Sequence, residues 1–327
     1  MKKILFSVTT LFAVVSLVAA GCSDDNDNEN VSSADKPSIV VTTNILGDVV
    51  SNMVGDSFNV EVIMPPGSDP HDFQASAQQV EKMMSADLLI VNGANFEEGM
   101  LSVIESAEAD GVMVFEAISV VSQLEGSDDH GHDDHEGHDD HDDHEGHDHG
   151  GIDPHFFTDP ARMAVVVEEL SEFLVANFPN VDQGFVSTAN DYAQELIDLD
   201  EEVNEILSEI PQEGKVLVTN HAVFAYFADS YGFEILGEII PSASTLSSAN
   251  AQQLASLADE LSSNSVKAIF ADASASDTLA RTLAAEVGGI EVITLFTESL
   301  GEPGSSGANY IEMVKFNAQA IASGLVG

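Results

Sequence analysis

Short apolar runs alternate with amphipathic segments along the first half of the chain. The apolar runs have the length and composition of strands, and the segments between them carry apolar residues at helical spacing. The predicted strands are residues 39–43, 58–64, 87–93 and 112–117, and the predicted helices are residues 45–55, 76–86 and 97–108. Because strand and helix alternate at the lengths of βαβ units, the pattern predicts a mostly parallel sheet.

A second alternation of the same kind follows a change of pattern in the middle of the chain. A helix is predicted over about residues 161–178, and residues 181–210 then form one long acidic helix with apolar residues every three or four positions. The later predicted strands are 215–219, 233–238, 266–271 and 290–296, and the helices are 222–231, 249–263, 277–287 and 309–323. The pattern predicts an α/β fold of two lobes, residues 38–180 and 211–327, joined by the long helix.

The N-terminus has the features of an export signal. Lys2 and Lys3 precede an apolar stretch that ends in small residues, so residues 1–21 are predicted to be a signal peptide. The letters "AAGC" at its end resemble a bacterial lipoprotein cleavage box, which makes Cys22 the lipidated first residue; the alternative is a soluble exported protein. Polar residues 22–37 then form a flexible tether. We expect an extracytoplasmic protein that a lipid anchors to the bacterial membrane.

The charge balance is strongly acidic, with 9 basic and 57 acidic residues and a formal net charge of −48. Such a surface repels nucleic acid and anionic lipid, so we expect no nucleic-acid partner. We interpret the acidity mainly as a surface adapted to salty water, although it also helps cations to arrive. Because Cys22 is the only cysteine, the folded part has neither a disulfide nor a thiolate metal site.

One segment, residues 128–150, consists almost entirely of His, Asp, Glu and Gly. It holds most of the chain's eleven histidines: His130, His132, His135, His138, His141, His144, His147 and His149. It has no apolar residue to bury, so we expect it to be disordered without metal. Closely spaced imidazoles bind zinc, copper or nickel, and we interpret this His-rich segment as an auxiliary metal-gathering loop. The alternative is a solvated insert without a role in transport.

The three remaining histidines stand singly at comparable places. His71 follows a predicted strand, His155 lies between the His-rich segment and a helix, and His221 ends a strand where a helix begins. Ligands of parallel α/β sheets bind beyond the carboxyl ends of the strands, so these imidazoles are candidate metal ligands. Two of them occur in the same tripeptide, Asp-Pro-His, in which proline restricts the local backbone.

A carboxylate from another such loop would complete a tetrahedral site. Glu298, just past the last predicted strand, is the candidate, although any loop of so acidic a chain contains a carboxylate. Three neutral imidazoles and one oxygen suit Zn²⁺. Mn²⁺ is the less favoured ion, because it prefers oxygen ligands.

Four segments together resemble the metal solute-binding proteins of zinc and manganese ABC transporters. They read "PPGSDPHDF", "DPHFFTDP", "TNHAVFAYFADSYGF" and "LFTESLGEPGSSGANYIEMVKFN". The resemblance implies two α/β lobes joined by a rigid helix, with the metal in the cleft between them. It also implies ligands at His71, His155 and His221, where manganese-selective members often have Glu at the third position. The family's fourth ligand is usually Asp, so Glu298 departs by one methylene and leaves direct binding, binding through water, or replacement by water open.

The resemblance implies capture rather than catalysis, with an ABC permease and its ATPase as partners and a monomer as the working form. The chain contains no HExxH, GxSxG or P-loop motif, which argues against a zinc hydrolase. Two alternatives stay open. One is a manganese- or iron-binding homologue, and the other is an extracytoplasmic zinc buffer or adhesin that works without a permease. Because a helix joins the lobes, we expect metal to order loops more than it rotates lobes.

Overall fold

The first lobe is built on a parallel sheet with the strand order β2-β1-β3-β4. The computed structural model describes residues 36–126 and 151–326. The elements of this lobe are β1 (Ser38–Val41), α1 (Asn44–Val54), β2 (Asn59–Val62), α2 (Ala77–Met84), β3 (Leu88–Val91), α3 (Leu101–Ala109) and β4 (Met113–Glu116). Alternate residues of β1 enter two separate cores, Ile39 and Val41 on one face and Val40 on the other. The sheet is therefore covered on both faces, as parallel sheets require.

The second lobe repeats this topology with the strand order β6-β5-β7-β8, again with parallel pairing throughout. Its elements are β5 (Val216–His221), α6 (Ala225–Tyr231), β6 (Glu234–Ile240), α7 (Ala251–Ser263), β7 (Ala268–Asp272), α8 (Thr278–Val287), β8 (Glu291–Leu295) and α9 (Tyr310–Val326). In both sheets the chain steps outward from its first strand and then crosses to the other side. That crossing leaves a crevice at the carboxyl ends of the strands, where parallel α/β proteins bind ligands.

Two helices, α4 (Pro160–Asn177) and α5 (Phe185–Leu207), connect the sheets. The long helix α5 packs against α1 and α4 on one side and against α9 of the second lobe on the other. Its apolar stripe, including Leu199 and Val203, lies in the same buried cluster as Val50 of α1 and Ile321 of α9. The linking helix is thus part of one hydrophobic core that both lobes share, which confirms the predicted fold class.

Several boundaries differ from the predicted ones. The linking helix is shorter than predicted, and the helix expected from residue 222 begins only at Ala225. The reason is that β5 extends to His221 and the next backbone N–H, that of Ala222, donates to the carbonyl of Ser242 at 3.0 Å. This pairing keeps the chain extended for another residue and delays the first helical turn.

The predicted signal peptide, Cys22 and the His-rich segment lie outside the described residues. The residues on either side of that segment pair with each other, through an antiparallel bridge between Glu125 and Ile152. The amide of Asp153 also donates to the carbonyl of Leu124 at 3.0 Å. Within the described part of the chain, no helix combines the length and the hydropathy needed to cross a bilayer.

Candidate metal centre

The four candidate ligands come from four connections at the carboxyl ends of the two sheets. His71 lies between β2 and α2, and His155 lies directly before the turn that leads into α4. His221 is the last residue of β5, and Glu298 follows β8 by three residues. Because the carboxyl ends of both sheets face the same crevice, residues far apart along the chain meet there.

The three imidazoles converge on a single carboxylate oxygen. The Nε2 atoms of His71, His155 and His221 lie 2.9, 3.1 and 2.8 Å from Oε1 of Glu298. All four side chains are buried, with at most 2% of each exposed. In the described residues this is the one cluster of His, Cys, Asp and Glu with donor atoms close enough for a common ion, all within 4.8 Å of one another.

The donor set fits a small divalent cation. Ligands of a tetrahedral zinc ion stand roughly 3.3 Å apart, given metal–nitrogen distances of about 2.0 Å. The nitrogen–oxygen distances around Glu298 are a few tenths of an ångström shorter, as hydrogen bonds are. An ion would therefore need only a small withdrawal of the carboxylate. The buried site also excludes water, which strengthens its attraction for a cation.

The repeated Asp-Pro-His tripeptide has the same local structure at both sites. The amide of His71 donates to Oδ1 of Asp69 at 2.9 Å, and the amide of His155 donates to Oδ1 of Asp153 at 2.8 Å. Each aspartate thereby closes a short turn that aims the histidine into the crevice. In the second tripeptide the same oxygen also lies 2.8 Å from Nδ1 of the ring, so Asp153 orients the imidazole as well.

The His71 ring is oriented by a different carboxylate, from a turn after β3. Oε1 of Glu98 lies 2.9 Å from its Nδ1, and the ring of Phe96 packs edge-on against it at 5.2 Å. The turn contains three consecutive residues with positive φ, which are Gly93, Ala94 and Asn95. The left-handed backbone is costly for the two that carry a Cβ atom, and such backbone is retained where surrounding contacts enforce it.

A buried glutamate enforces that turn. Oε1 of Glu97 accepts hydrogen bonds from the Thr42 hydroxyl at 2.5 Å and from the Asn92 amide at 2.7 Å. Burial raises the pKa of Glu97, although these hydrogen bonds oppose the shift. Glu97 thus ties the strained turn to β1 and keeps Glu98 and Phe96 against His71.

The second lobe supports the His155 side of the site through Tyr226. Its hydroxyl donates to the carbonyl of Asp153 at 2.9 Å and accepts from the Leu124 amide at 3.0 Å. The guanidinium of Arg162 lies over the same ring, 4.9 Å from its centre. Tyr226 therefore links Leu124, which precedes the His-rich segment, to the aspartate that orients His155.

The two ligands of the second lobe lack such support. Nδ1 of His221 and Oε2 of Glu298 are buried and have no hydrogen-bond partner. Two further acids, Glu238 and Asp272, act on this side of the site by charge alone. Burial raises the pKa of Glu238 to about 7 and that of Asp272 to about 6; in Asp272 the neighbouring Glu298 adds to the increase.

The electrostatics favour a positive charge in the crevice. Burial alone would lower the pKa of His71, but the hydrogen bonds to Glu298 and Glu98 outweigh it and raise the pKa to about 10. Burial alone would raise the pKa of Glu298, yet the His221 charge and the three imidazole contacts hold it well below its usual value. A divalent cation would take the place of the protons on these rings.

The sequence pointed to the four converging residues but missed those that orient them. Asp153 could have been found, since it occupies the same place in its tripeptide as Asp69 does. Glu98 and Phe96 carried no usable signal, because they are distant from His71 along the chain, 27 residues for Glu98, and their contacts with it depend on the strained turn. The other predicted site residues, Cys22 and the histidines of the His-rich segment, lie outside the described part of the chain.

Two parallel-sheet lobes with a buried His and Glu cluster between them are typical of metal solute-binding proteins. A model of the family described as "Zinc-uptake complex component A periplasmic" matches residues 39–324, and the chain belongs to this family. Membership confirms the predicted resemblance and identifies the chain as a solute-binding protein rather than an enzyme.

Individual relatives differ in the metal that their names give. The chain is 27% identical over 338 residues to the manganese ABC transporter substrate-binding lipoprotein PsaA of Streptococcus anginosus, and the match covers 99% of each chain. It is equally 27% identical to the manganese-binding lipoprotein MntA of Halalkalibacterium halodurans over 326 residues, 99% of each chain. The periplasmic zinc binding protein TroA from Treponema pallidum superposes with a TM-score of 0.75 at 27% identity, covering 89% of this chain and 99% of that one.

Proposed function

We propose that the protein captures Zn²⁺ outside the cytoplasm and delivers it to an ABC permease for high-affinity uptake. The observation that carries this proposal is the convergence of three imidazole Nε2 atoms on one buried carboxylate oxygen, at 2.8 to 3.1 Å, between the two lobes. Each lobe supplies two ligands, His71 and His155 from the first and His221 and Glu298 from the second. The ion would therefore bridge the lobes.

The donor atoms favour zinc over manganese. Three nitrogens and one oxygen match the borderline softness of Zn²⁺, whereas Mn²⁺ prefers a larger share of oxygen ligands. Manganese is the second candidate, and two observations support it: the relatives named for manganese, and the unpartnered Oε2 of Glu298, which could give an ion a second oxygen. A bidentate Glu298 would raise the coordination number above four.

Delivery requires a membrane location and a transporter. The relatives named as ABC transporter lipoproteins, together with the "AAGC" sequence at Cys22, support a lipid-anchored extracytoplasmic protein. They also support a partnership with a permease and its ATPase. Binding should respond to acid, because protonated imidazole cannot coordinate metal and protons compete with the ion for the candidate ligands.

The shared core supports local loop ordering over lobe rotation on metal binding. Helix α5 packs on elements of both lobes, and a rotation of one lobe would have to break those buried contacts. Crystal structures with and without metal would test this point. A rigid-body rotation of tens of degrees between them would contradict it.

The His-rich segment, residues 128–150, has a proposed auxiliary role as a zinc-gathering loop. Its flanking residues meet at the Glu125–Ile152 bridge, three residues from His155. These flanking residues and the short separation of Ile152 from His155 along the chain support a role in which collected ions pass to the buried site.

Native mass spectrometry of a variant without residues 128–149, purified without added metal and then given equal Zn²⁺ and Mn²⁺, tests the proposal. We expect one zinc ion per chain, and its loss when His155 is replaced by alanine. A chain that retains manganese in preference to zinc would establish the second candidate. Retention of one ion by the His155→Ala variant at full affinity would place the metal elsewhere and refute both.

A further inference from the structure

Glu298 lies in the middle of a short loop that follows β8. Its Oε1 contacts only the three imidazoles, and its Oε2 contacts no hydrogen-bond partner. No side chain other than the candidate ligands therefore holds this carboxylate. Its place in the crevice must be set by the backbone on either side of it, residues 296–300.

The start of the loop is fixed within its own lobe by Asn317 of α9. The Phe296 amide donates to Oδ1 of Asn317 at 3.0 Å, and Nδ2 of Asn317 donates to the Phe296 carbonyl at 2.7 Å. This pair of hydrogen bonds ties the loop to a helix that packs on β7 and β8 of the second sheet. These two bonds involve no residue of the first lobe.

The end of the loop is fixed by an asparagine of the opposite lobe. Asn44, at the start of α1, accepts from the Leu300 amide at 2.7 Å through Oδ1 and donates to the Ser299 hydroxyl at 2.8 Å through Nδ2. The same Nδ2 lies 3.0 Å from the carbonyl of Pro65, which it also serves as donor. Asn44 is buried, so water does not compete with these bonds.

This junction also includes the loop that carries His71. The Gly67 amide donates to the Ser299 hydroxyl at 2.8 Å and to the Leu300 carbonyl at 3.0 Å. Gly67 has a φ of +77°, a conformation that glycine adopts without strain. The segments 65–71 and 296–300 are thus joined away from the His71–Glu298 contact as well, and the Asn44 side chain contacts both of them there.

We propose that Asn44 is a positioning residue for metal capture: it fixes the backbone that holds the Glu298 carboxylate against the three imidazoles. Asn317 keeps the start of the loop attached to the second lobe, and Asn44 holds its far end on the first. When the Asn44 bonds are absent, the Glu298 loop can leave the crevice by a local movement, without a rotation of the lobes.

This inference rests on the proposed function, because it requires Glu298 to be a ligand. Groups that orient metal ligands change affinity by about 10- to 100-fold when they are removed. We expect an effect of that size for Asn44→Ala, mainly through faster dissociation, because the loop no longer holds the carboxylate on the ion.

Zinc affinity, measured by competition with a chromophoric chelator, tests the inference in the full-length protein. Tyr310→Phe is the matched control, since it removes another buried hydrogen bond, from the Tyr310 hydroxyl to the Phe157 carbonyl at 2.8 Å, and that bond does not involve the Glu298 loop. We expect the Asn44→Ala variant to bind about 10- to 100-fold more weakly and the control to stay close to the unmodified protein. Equal losses in the two variants would overturn the inference.

A double-mutant cycle with Glu298→Gln separates positioning from general weakening of the fold. If Asn44 acts through Glu298, Asn44→Ala should change the affinity of the Glu298→Gln protein by less than about twofold. An undiminished effect in that background would refute positioning. Should Asn44→Ala fail to fold, Ser299→Ala removes the Asn44–Ser299 and Gly67–Ser299 bonds of the junction and takes its place in the cycle.

The cycle also distinguishes a failure of the proposed metal site from a failure of the positioning role of Asn44. If Glu298→Gln binds zinc as tightly as the unmodified protein, the proposed site itself is wrong. If Glu298→Gln loses affinity and Asn44→Ala does not, the site stands and only the positioning role fails.

Discussion

The two lobes hold their halves of the metal centre in different ways. In the first lobe the second nitrogen of each ring is paired with a carboxylate, Glu98 for His71 and Asp153 for His155. In the second lobe the corresponding atoms, Nδ1 of His221 and Oε2 of Glu298, are buried without partners. One half is therefore fixed by its surroundings, and the other is free to adjust.

This difference in side-chain support corresponds to two requirements of a transport site, which must bind its ion and also release it. Paired carboxylates fix the direction and raise the basicity of an imidazole, so the first lobe offers a rigid pair of ligands to an arriving ion. The second lobe brings ligands whose remaining atoms are uncommitted, and these can change denticity or withdraw. We infer that the first lobe presents the more firmly oriented side chains, whereas the carboxylate of the second lobe can change its denticity.

The largest expected effect comes from removing a ligand of the rigid half. His155→Ala removes one of the three nitrogen donors and leaves a buried cavity beside the remaining ligands, so zinc should be lost on dialysis. His221→Ala should retain more zinc. Nδ1 of His221 has no hydrogen-bond partner, so a water molecule can replace this ring as a ligand without breaking further bonds. Isothermal titration of both variants measures the difference, and a greater loss in His221→Ala would reverse the comparison between the lobes.

The next effect concerns the carboxylates behind the rings. Asp153→Asn should weaken zinc binding by about 10- to 100-fold, since it removes the charge that orients a fully buried imidazole. Glu98→Gln should weaken it less, because the Glu98 side chain is 32% exposed and water can replace part of its interaction. Titration with a competing chelator gives both affinities. A larger loss of zinc affinity for Glu98→Gln than for Asp153→Asn would show that solvent exposure does not determine how much each contact contributes.

The pH dependence of stability should separate the free and loaded protein. Without metal, the pKa of His71 is raised from 6.5 to about 10, so the stability that its proton contributes is fully present below 6.5 and disappears as the pH rises toward 10. Bound zinc displaces that proton and removes this loss. The increase in Tm on zinc addition should therefore grow between about pH 6.5 and pH 9. A constant increase across this window, measured by calorimetry, would contradict the assignment.

The smallest effect on the affinity of the metal centre is expected from a change in the His-rich segment. Deletion of residues 128–149 should leave the affinity of the buried site within about twofold, since every support described for the candidate ligands comes from residues outside that segment. The total number of zinc ions bound per chain should fall. A collapse of the affinity, seen in the same native mass spectra, would make the His-rich segment part of the primary site.

Local pattern determined much of this protein without any tertiary information. The alternation of apolar runs such as 87–93 with amphipathic segments predicted both parallel sheets, because strand and helix periodicity are properties of neighbouring residues. The same pattern placed three isolated histidines at the ends of strands, where parallel sheets bind ligands. Glu298 followed from its loop and from the resemblance to the metal-binding family.

The supports of the site were decided only by the tertiary structure. The contact of His71 with Glu98 depends on a strained turn, and the junction of Asn44 with Ser299 joins residues 255 positions apart. No local sequence pattern identifies such residues, because their contacts depend on how the elements of the two lobes pack together. Sequence could name three candidate ligands because single histidines are rare outside the His-rich segment, and it added Glu298 from its loop and the family resemblance. It could not name what holds them, because asparagine, serine and glutamate are common and only packing gives these particular ones a role.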